Sequence, residues 1–136
     1  MEESKARSPT RVGIALVREG VAYLVRRRPP TAGSPMPGLW EFPGGKCEPG
    51  ESPAAATARE CREEAGLAVV VERLRRVVTH HYPHGLIELH YFDCVPCDPE
   101  DQPAPGSGFR WMPARELPAL EFPPANGPVL DELAAE

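Results

Sequence analysis

Two stretches near the start of the chain alternate between small and apolar residues. Arg11–Val17 and Val21–Arg27 both show this pattern, and Arg18–Gly20 between them provides a short loop that contains glycine. Alternation with a period of two is typical of β-strands, and such a loop joins antiparallel neighbours. The pattern therefore predicts a β-hairpin. Short apolar or alternating runs predict further strands at Leu39–Phe42, Leu67–Val78, Leu86–Val95 and Phe109–Met112.

One segment has both the start and the stop signals of an α-helix. Ser52 can cap the first free amide groups, and Pro53 suits the first helical position. Gly66 suits the left-handed conformation that follows a last helical turn, so we predict that the helix ends one residue before it. The sequence also predicts a helical turn over Pro113–Leu117 and a terminal helix over Gly127–Ala135.

Proline and glycine concentrate between these predicted elements, with 18 prolines and 12 glycines in 136 residues. They predict loops at Arg28–Gly38 and Pro96–Gly108 and an interruption of regular structure at Pro43–Gly45. Strands mixed with helices, without an internal repeat, predict one mixed α/β domain. We place this domain at residues 10–136 and expect residues 1–9 to form a disordered tail.

Composition and charge exclude several classes of protein. Hydrophobic residues make up 41% and charged residues 26%, which is ordinary for a soluble globular domain. The longest apolar runs, Gly13–Val17 and Leu67–Val71, are far shorter than the roughly 20 residues that cross a bilayer, and the N-terminus lacks the apolar core of a signal peptide. We therefore expect a cytoplasmic protein without membrane contacts. The net charge of −5 argues against a stable nucleic-acid complex, and a monomer and a weak homodimer both stay open.

Three glutamates share one stripe of the predicted helix. At about 100° per residue, Glu63 and Glu64 lie roughly 60° behind and 40° ahead of Glu60. Like charges at these spacings repel each other, whereas Mg²⁺ binds hard oxygen ligands together with substrate phosphates. Glu51 in the preceding loop can approach the same ion, and Arg59 can orient the carboxylates. The alternative is an exposed helix whose charged side chains only solvate its surface.

The residues around this stripe have the spacing of a known motif. The segment Gly45–Leu67 fits Gly-x5-Glu-x7-Arg-Glu-U-x-Glu-Glu-x-Gly-U, where U is a bulky apolar residue. This segment resembles the Nudix box, although Cys61 stands at the first U position, where the family usually has Leu, Ile or Val. Leu39–Lys46 and Glu121–Val129 resemble segments of the MutT branch of that family, the 8-oxo-dGTP diphosphatases. The matching residues of the box are Gly45, Glu51, Arg59, Glu60, Glu63, Glu64 and Gly66.

The resemblance implies a fold, a cofactor and a set of roles. The family fold is an α/β/α sandwich with a mixed β-sheet, and MutT-like members convert a nucleoside triphosphate into the monophosphate and pyrophosphate. The implied ligands of Mg²⁺, or of Mn²⁺ in its place, are the Gly45 carbonyl, Glu60, Glu63 and Glu64. Glu51 and Arg59 would support these ligands, and either Glu60 or Glu63 would accept a proton from the attacking water.

Asn126 is the residue that we expect to recognise the base. A purine oxidised at C8 carries an N7–H donor beside the O6 acceptor, and one amide side chain can pair with both groups. The alternative is that Asn126 caps the terminal helix. The resemblance also suggests that Arg27, and less strongly Arg26, face the base or the phosphates. Phe42 fits both a wall of the nucleotide pocket and the core.

Three functions are compatible with these features. The first is hydrolysis of 8-oxo-dGTP to 8-oxo-dGMP and pyrophosphate, which would remove oxidised purine nucleotides from the DNA precursor pool and so prevent mutation. The second is the same chemistry on CTP or a modified dCTP. The third is a non-catalytic module that reads 8-oxoguanine, similar to the C-terminal domain of adenine DNA glycosylases. Four carboxylates at catalytic spacing favour an enzyme that acts on a small nucleotide.

Overall fold

The computed structural model describes residues 8–29, 36–83 and 85–136, and these ranges form seven strands and two α-helices. The strands are β1 (Thr10–Glu19), β2 (Ala22–Arg27), β3 (Trp40–Glu41), β4 (Gly44–Lys46), β5 (Val69–Tyr82), β6 (Gly85–Pro96) and β7 (Arg110–Pro113). The helices are α1 (Pro53–Ala65) and α2 (Gly127–Ala135), and 3-10 turns span Ala114–Ala119 and Pro124–Asn126. Residues 1–7 of the predicted tail and 30–35 of the first predicted loop lie outside the described residues.

Strand β1 lies in the middle of a mixed sheet. It runs parallel to β6, with Ile14 opposite Tyr91, and β5 continues the sheet antiparallel to β6. On its other side β1 pairs antiparallel with β4, and its end forms the predicted hairpin with β2, where Arg18 lies opposite Tyr23. Strand β2 also pairs with β3 and β7. The predicted mixed α/β fold is therefore confirmed.

The interruption that the sequence predicted at Pro43–Gly45 is wrong, because two of its residues belong to a strand. Gly44 and Gly45 lie in β4 and pair with β1, with Gly45 opposite Gly13. A Cβ atom at Gly44 would lie 2.5 Å from the carbonyl oxygen of Gly13. The missing side chains thus allow a close strand contact here, whereas the same residues in isolation favour a loop.

Helix α1 begins and ends where the local signals predict. The Ser52 hydroxyl oxygen accepts a hydrogen bond from the amide of Ala55 at 3.1 Å, and Gly66 has the left-handed φ of 66°. The helix lies directly against β1, because a Cβ at Gly13 would be only 2.4 Å from the carbonyl oxygen of Pro53. The glycine of β1 therefore fixes how deeply α1 sits on the sheet.

Neighbouring residues of β1 enter two separate apolar clusters. Ala15 packs with Cys61 of α1, whereas Leu16 packs with Leu133 of α2. Because neighbours in a strand point to opposite faces, the two helices cover opposite faces of the sheet. This arrangement is the α/β/α sandwich that the family resemblance implied. No helix among the described residues is long and apolar enough to cross a membrane.

Candidate active site

The carboxylates of α1 face the glycines of β4. One oxygen of Glu64 accepts a hydrogen bond from the amide of Gly44 at 3.1 Å. Gly45 lies so close to Glu60 that an added Cβ would be 2.4 Å from the carboxylate carbon. The side chains of Glu60 and Glu64 are 19% and 27% exposed, so both carboxylates are half-buried. The structure thus brings Gly45, Glu60 and Glu64 together.

The Arg59 side chain connects three carboxylates, those of Glu51, Glu60 and Glu63. Its Nε and Nη2 atoms donate to the two oxygens of Glu51 at 2.8 and 2.9 Å, which is a bidentate ion pair. Its Nη1 atom donates to Glu60 at 3.2 Å and to Glu63 at 3.1 Å. The Nη2 atom also donates to the carbonyl of Lys46 at 3.1 Å. Arg59 therefore links the loop before α1 to the helix and to β4, and offsets the repulsion among the glutamates.

Two of these glutamates have opposite electrostatic environments. The hydrogen bonds from Arg59, with a further one from the amide of Glu48, lower the pKa of Glu51 from its ordinary 4.5 to about 2. Burial raises the pKa of Glu64, although the Gly44 amide and the nearby Arg26 act in the other direction. Glu51 is therefore firmly ionised, whereas a cation near Glu64 would offset the cost of burying its charge.

The donor set fits a hard divalent cation. Within residues 8–29, 36–83 and 85–136, no three His, Cys, Asp or Glu side chains are grouped as metal ligands, and Glu60 and Glu63 instead both accept from Arg59. Oxygen ligands alone, from carboxylates and a backbone carbonyl, are what Mg²⁺ and Mn²⁺ prefer. The close approach of Glu60 to Gly45 leaves no room for a side chain at position 45, so the backbone carbonyl is the ligand that this position offers. The residues that would hold the ion are Gly45, Glu60, Glu63 and Glu64.

A cavity of about 230 Å³ opens beside the carboxylates. Gly44 and Gly45 line it and also contact Glu64 and Glu60, so the cavity and the carboxylates share one wall. Aromatic and polar side chains line the remainder, among them Trp40, Phe42, Tyr82 and Asn126. Apolar and aromatic walls with a few polar groups are typical of a pocket that binds a small molecule.

The sequence left open whether Phe42 forms a wall of the pocket or part of the core, and in the structure its ring does both. It lines the cavity and is only 6% exposed, and its ring centroid lies 5.0 Å from that of Phe122 in the apolar cluster under α2. The wall of the cavity is therefore continuous with the core, which restricts how far Phe42 can move.

Asn126 lines the cavity and stands at the N-cap position of the terminal helix. Its Oδ1 atom accepts a hydrogen bond from the Tyr91 hydroxyl at 2.7 Å, and its Nδ2 atom donates to the carbonyl of Pro123 at 3.2 Å. The Asn126 side chain makes no capping hydrogen bond at the start of α2, so the interpretation of this side chain as a helix cap is wrong. The side chain is held inward by Tyr91 and Pro123.

The structure places Arg26 and Arg27 outside the set of residues that line the cavity. Arg26 donates to Glu41 at 2.8 Å and lies 3.7 Å from an oxygen of Glu64, which puts it behind the carboxylates. Arg27 donates to the carbonyl of Gly38 at the protein surface.

Sequence reasoning missed three charged residues of the cavity, Arg28, Glu41 and Lys46. Glu41 accepts from Arg28 at 2.7 Å as well as from Arg26, and its side chain is only 15% exposed. A carboxylate between two apolar residues of the Leu39–Phe42 strand was the available signal, because an inward-facing charge requires a partner. Trp40 and Tyr82, which also line the cavity, gave no signal beyond their aromatic character.

Comparison with known proteins assigns the family. Residues 7–133 match the model of the NUDIX domain. The 8-oxo-dGTP diphosphatase of Escherichia coli is 34% identical over 122 residues, which cover 90% of this chain and 92% of that protein. The CTP pyrophosphohydrolase of the same organism is 32% identical over 138 residues, covering 89% and 88% of the two chains. The chain therefore belongs to the Nudix hydrolase family and is an enzyme of MutT-like type.

Solved structures agree with this assignment. The solution structure of the E. coli ORF135 protein superimposes with a TM-score of 0.79 at 28% identity, covering 96% of this chain and 92% of that chain. The crystal structure of a MutT protein from Methanosarcina mazei Go1 gives a TM-score of 0.76 at 21% identity, with 95% of both chains covered. The second likeness shows the fold alone.

Proposed function

We propose that this enzyme is a nucleoside triphosphate pyrophosphohydrolase that depends on Mg²⁺ and converts 8-oxo-dGTP to 8-oxo-dGMP and pyrophosphate. The observation that carries the proposal is the wall shared by the cavity and the carboxylates. Gly44 and Gly45 line the cavity on one side and contact Glu64 and Glu60 on the other. A base inside the cavity would therefore direct its phosphates towards α1. The similarity to the E. coli 8-oxo-dGTP diphosphatase supports the same substrate.

The chemistry uses the glutamates of α1. When bound by these residues, Mg²⁺ would offset the charge of the triphosphate and lower the pKa of a water molecule. The water oxygen forms a bond to the β-phosphorus, and the bond from this phosphorus to the oxygen that bridges to the α-phosphate breaks. That oxygen leaves on the monophosphate, and the proton of the water passes to Glu60 or Glu63. Arg59 donates to both carboxylates, so it orients either base.

The amide of Asn126 can distinguish the oxidised base from guanine. After its bonds to Tyr91 and Pro123, the side chain retains one acceptor lone pair and one N–H donor. An oxidised purine offers N7–H to the acceptor and O6 to the donor, whereas N7 of guanine has no proton to donate. A site built around such polar groups rejects the mismatched base more strongly than an apolar pocket does.

A nucleotide panel tests the substrate. We expect kcat/KM in Mg²⁺ to be highest for 8-oxo-dGTP among 8-oxo-dGTP, dGTP and CTP, with monophosphate and pyrophosphate as the products. Equal values for 8-oxo-dGTP and dGTP would refute the removal of oxidised nucleotides as the function. Chelation of the metal should abolish turnover, and Mn²⁺ should restore part of it.

A glutamate substitution tests the catalytic site. Glu63→Gln should lower kcat by about 100-fold or more, because loss of a general base or metal ligand costs about 10² to 10⁴ in rate. The side chain of Glu63 is 58% exposed and contacts Arg59, so the fold should persist. The matched control is Glu116→Gln, which removes an exposed carboxylate in the 3-10 turn Ala114–Ala119. Full activity of Glu63→Gln would show that our assignment of the site is wrong.

The second candidate substrate is CTP. The similarity to the E. coli CTP pyrophosphohydrolase favours it, since identity and coverage are close to those for the 8-oxo-dGTP diphosphatase. One acceptor and one donor on Asn126 can also pair with the amino group and N3 of cytosine. The highest kcat/KM for CTP in the panel would establish this alternative.

The third function, a non-catalytic module that reads 8-oxoguanine, has no support from these comparisons. The relatives named as a diphosphatase and a pyrophosphohydrolase align over about 90% of this chain.

A further inference from the structure

A buried tyrosine contacts the proposed base-reading residue from below the cavity. Tyr91 lies in the middle of β6, opposite Ile14 of β1 and Arg76 of β5, and its side chain is fully buried. Its hydroxyl nevertheless reaches Asn126, which belongs to the segment before α2, and donates to the Oδ1 atom at 2.7 Å. This hydrogen bond joins the core of the sheet to the wall of the cavity.

The partners of Asn126 fix which end of its amide is the acceptor. The carbonyl of Pro123 can only accept, so the Nδ2 atom must face it, as the bond of 3.2 Å shows. The Oδ1 atom then faces Tyr91, and the phenol must donate. Burial raises the pKa of Tyr91, so the phenol keeps the proton that it donates. Reversal of the amide would place two oxygens against each other at Pro123.

We propose that Tyr91 is a positioning residue for base recognition, which holds the Asn126 amide with one fixed acceptor and one fixed donor available to the nucleotide. This inference rests on the proposed function of Asn126. An amide that can rotate would no longer hold its acceptor opposite the N7–H of the oxidised base, and its NH2 group could turn to N7 of ordinary guanine, so the difference in affinity between the two bases would become smaller. Tyr91 therefore acts on selectivity, through Asn126, without contact with the nucleotide.

The test removes only the hydroxyl group. Tyr91→Phe keeps the buried ring, and its melting temperature shows whether the variant is folded. We expect the ratio of kcat/KM for 8-oxo-dGTP to that for dGTP to fall about fivefold to tenfold, the usual effect of one lost hydrogen bond. The matched control is Tyr23→Phe, because Tyr23 is 3% exposed in the same apolar cluster, whereas the side-chain hydrogen bonds of Asn126 go to Tyr91 and Pro123. This control should leave the ratio unchanged.

A double-mutant cycle separates this inference from the proposed function. Asn126→Ala should lower the ratio, and Tyr91→Phe added to it should change the ratio little further, because Tyr91 acts only through Asn126. If Asn126→Ala leaves the ratio unchanged, the base-reading role fails and the inference fails with it. If Asn126→Ala lowers the ratio but Tyr91→Phe does not, only the positioning role of Tyr91 is overturned. An equal effect of Tyr91→Phe in both backgrounds would also overturn it, since the hydroxyl would then act independently of Asn126.

Discussion

Replacing Gly45 by alanine tests whether the position of the Glu60 carboxylate sets the rate. The new Cβ would lie 2.4 Å from the carboxylate carbon and from Oε2 of Glu60, whereas ordinary contact begins at 3.4 Å. The carboxylate must therefore move by about 1 Å. Displacement of a catalytic group by about 1 Å can lower a rate by about 10²-fold. We expect kcat of Gly45→Ala to fall by about that factor, although the backbone carbonyl of this residue is retained.

The same substitution should cost little stability, because the group that moves is the end of a flexible side chain. Gly44→Ala provides the contrast. Its Cβ would lie 2.5 Å from the carbonyl oxygen of Gly13 and 3.0 Å from the Cα of Ile14, and these backbone atoms cannot move without disturbing the sheet. We therefore expect Gly44→Ala to lower the melting temperature strongly. Gly127→Ala is the neutral control, because no heavy atom lies within 4 Å of its added Cβ.

The assay measures pyrophosphate release at saturating Mg²⁺ together with the melting temperature of each variant. A folded Gly45→Ala protein whose kcat stays within about threefold of the parent value would refute the reasoning, since it would show that the placement of Glu60 does not limit the rate. A fall in kcat together with a large fall in melting temperature would assign the effect to folding instead.

Two further predictions concern the approach to α1. The Glu51 pKa of about 2, against an ordinary 4.5, means that its pairing with Arg59 stabilises the fold above pH 4.5 and is lost as the pH falls through 2. The melting temperature of the parent protein should therefore fall more steeply between pH 4.5 and pH 2 than that of Glu51→Gln, and equal slopes would contradict the ion pair. Ser52→Ala removes the cap on the amide of Ala55 and should cost about 1 kcal/mol, or about 4 °C in melting temperature, without loss of activity at low temperature. An unchanged melting temperature would show that the cap does not stabilise the helix.

Local signals predicted those parts of the fold that local chemistry determines. Ser52, Pro53 and Gly66 mark the bounds of α1 because capping and left-handed backbone depend on neighbours a few residues away. Strand β4 was missed because its pairing depends on Gly13, about thirty residues earlier, and no local pattern reports such a contact. For the same reason β5 extends to Tyr82, beyond the predicted end at Val78, where its pairing with β6 continues.

The residues of the candidate site were likewise predicted where local spacing or the family resemblance indicates them, and missed where they depend on distant contacts. The glutamates of α1 follow from their spacing on one helix, since the helix alone places them on one side. Asn126 was selected from a resemblance, but the hydroxyl that holds it comes from Tyr91, 35 residues earlier in the sequence. The choice among the three consecutive arginines was not predictable, because it depends on the pairing of Arg26 and Arg28 with Glu41 of a neighbouring strand.

The guanidinium of Arg59 is a counter-ion supplied by the chain itself. It neutralises part of an acidic surface that would otherwise oppose formation of the helix, and it does so through contacts with Glu51, Glu60 and Glu63. Under the proposed metal dependence, the protein can therefore fold before it binds the ion. The concentration of magnesium would then determine what fraction of the folded protein is active. A shortage of the ion would leave the enzyme inactive but still folded, and therefore not exposed to degradation as an unfolded chain is.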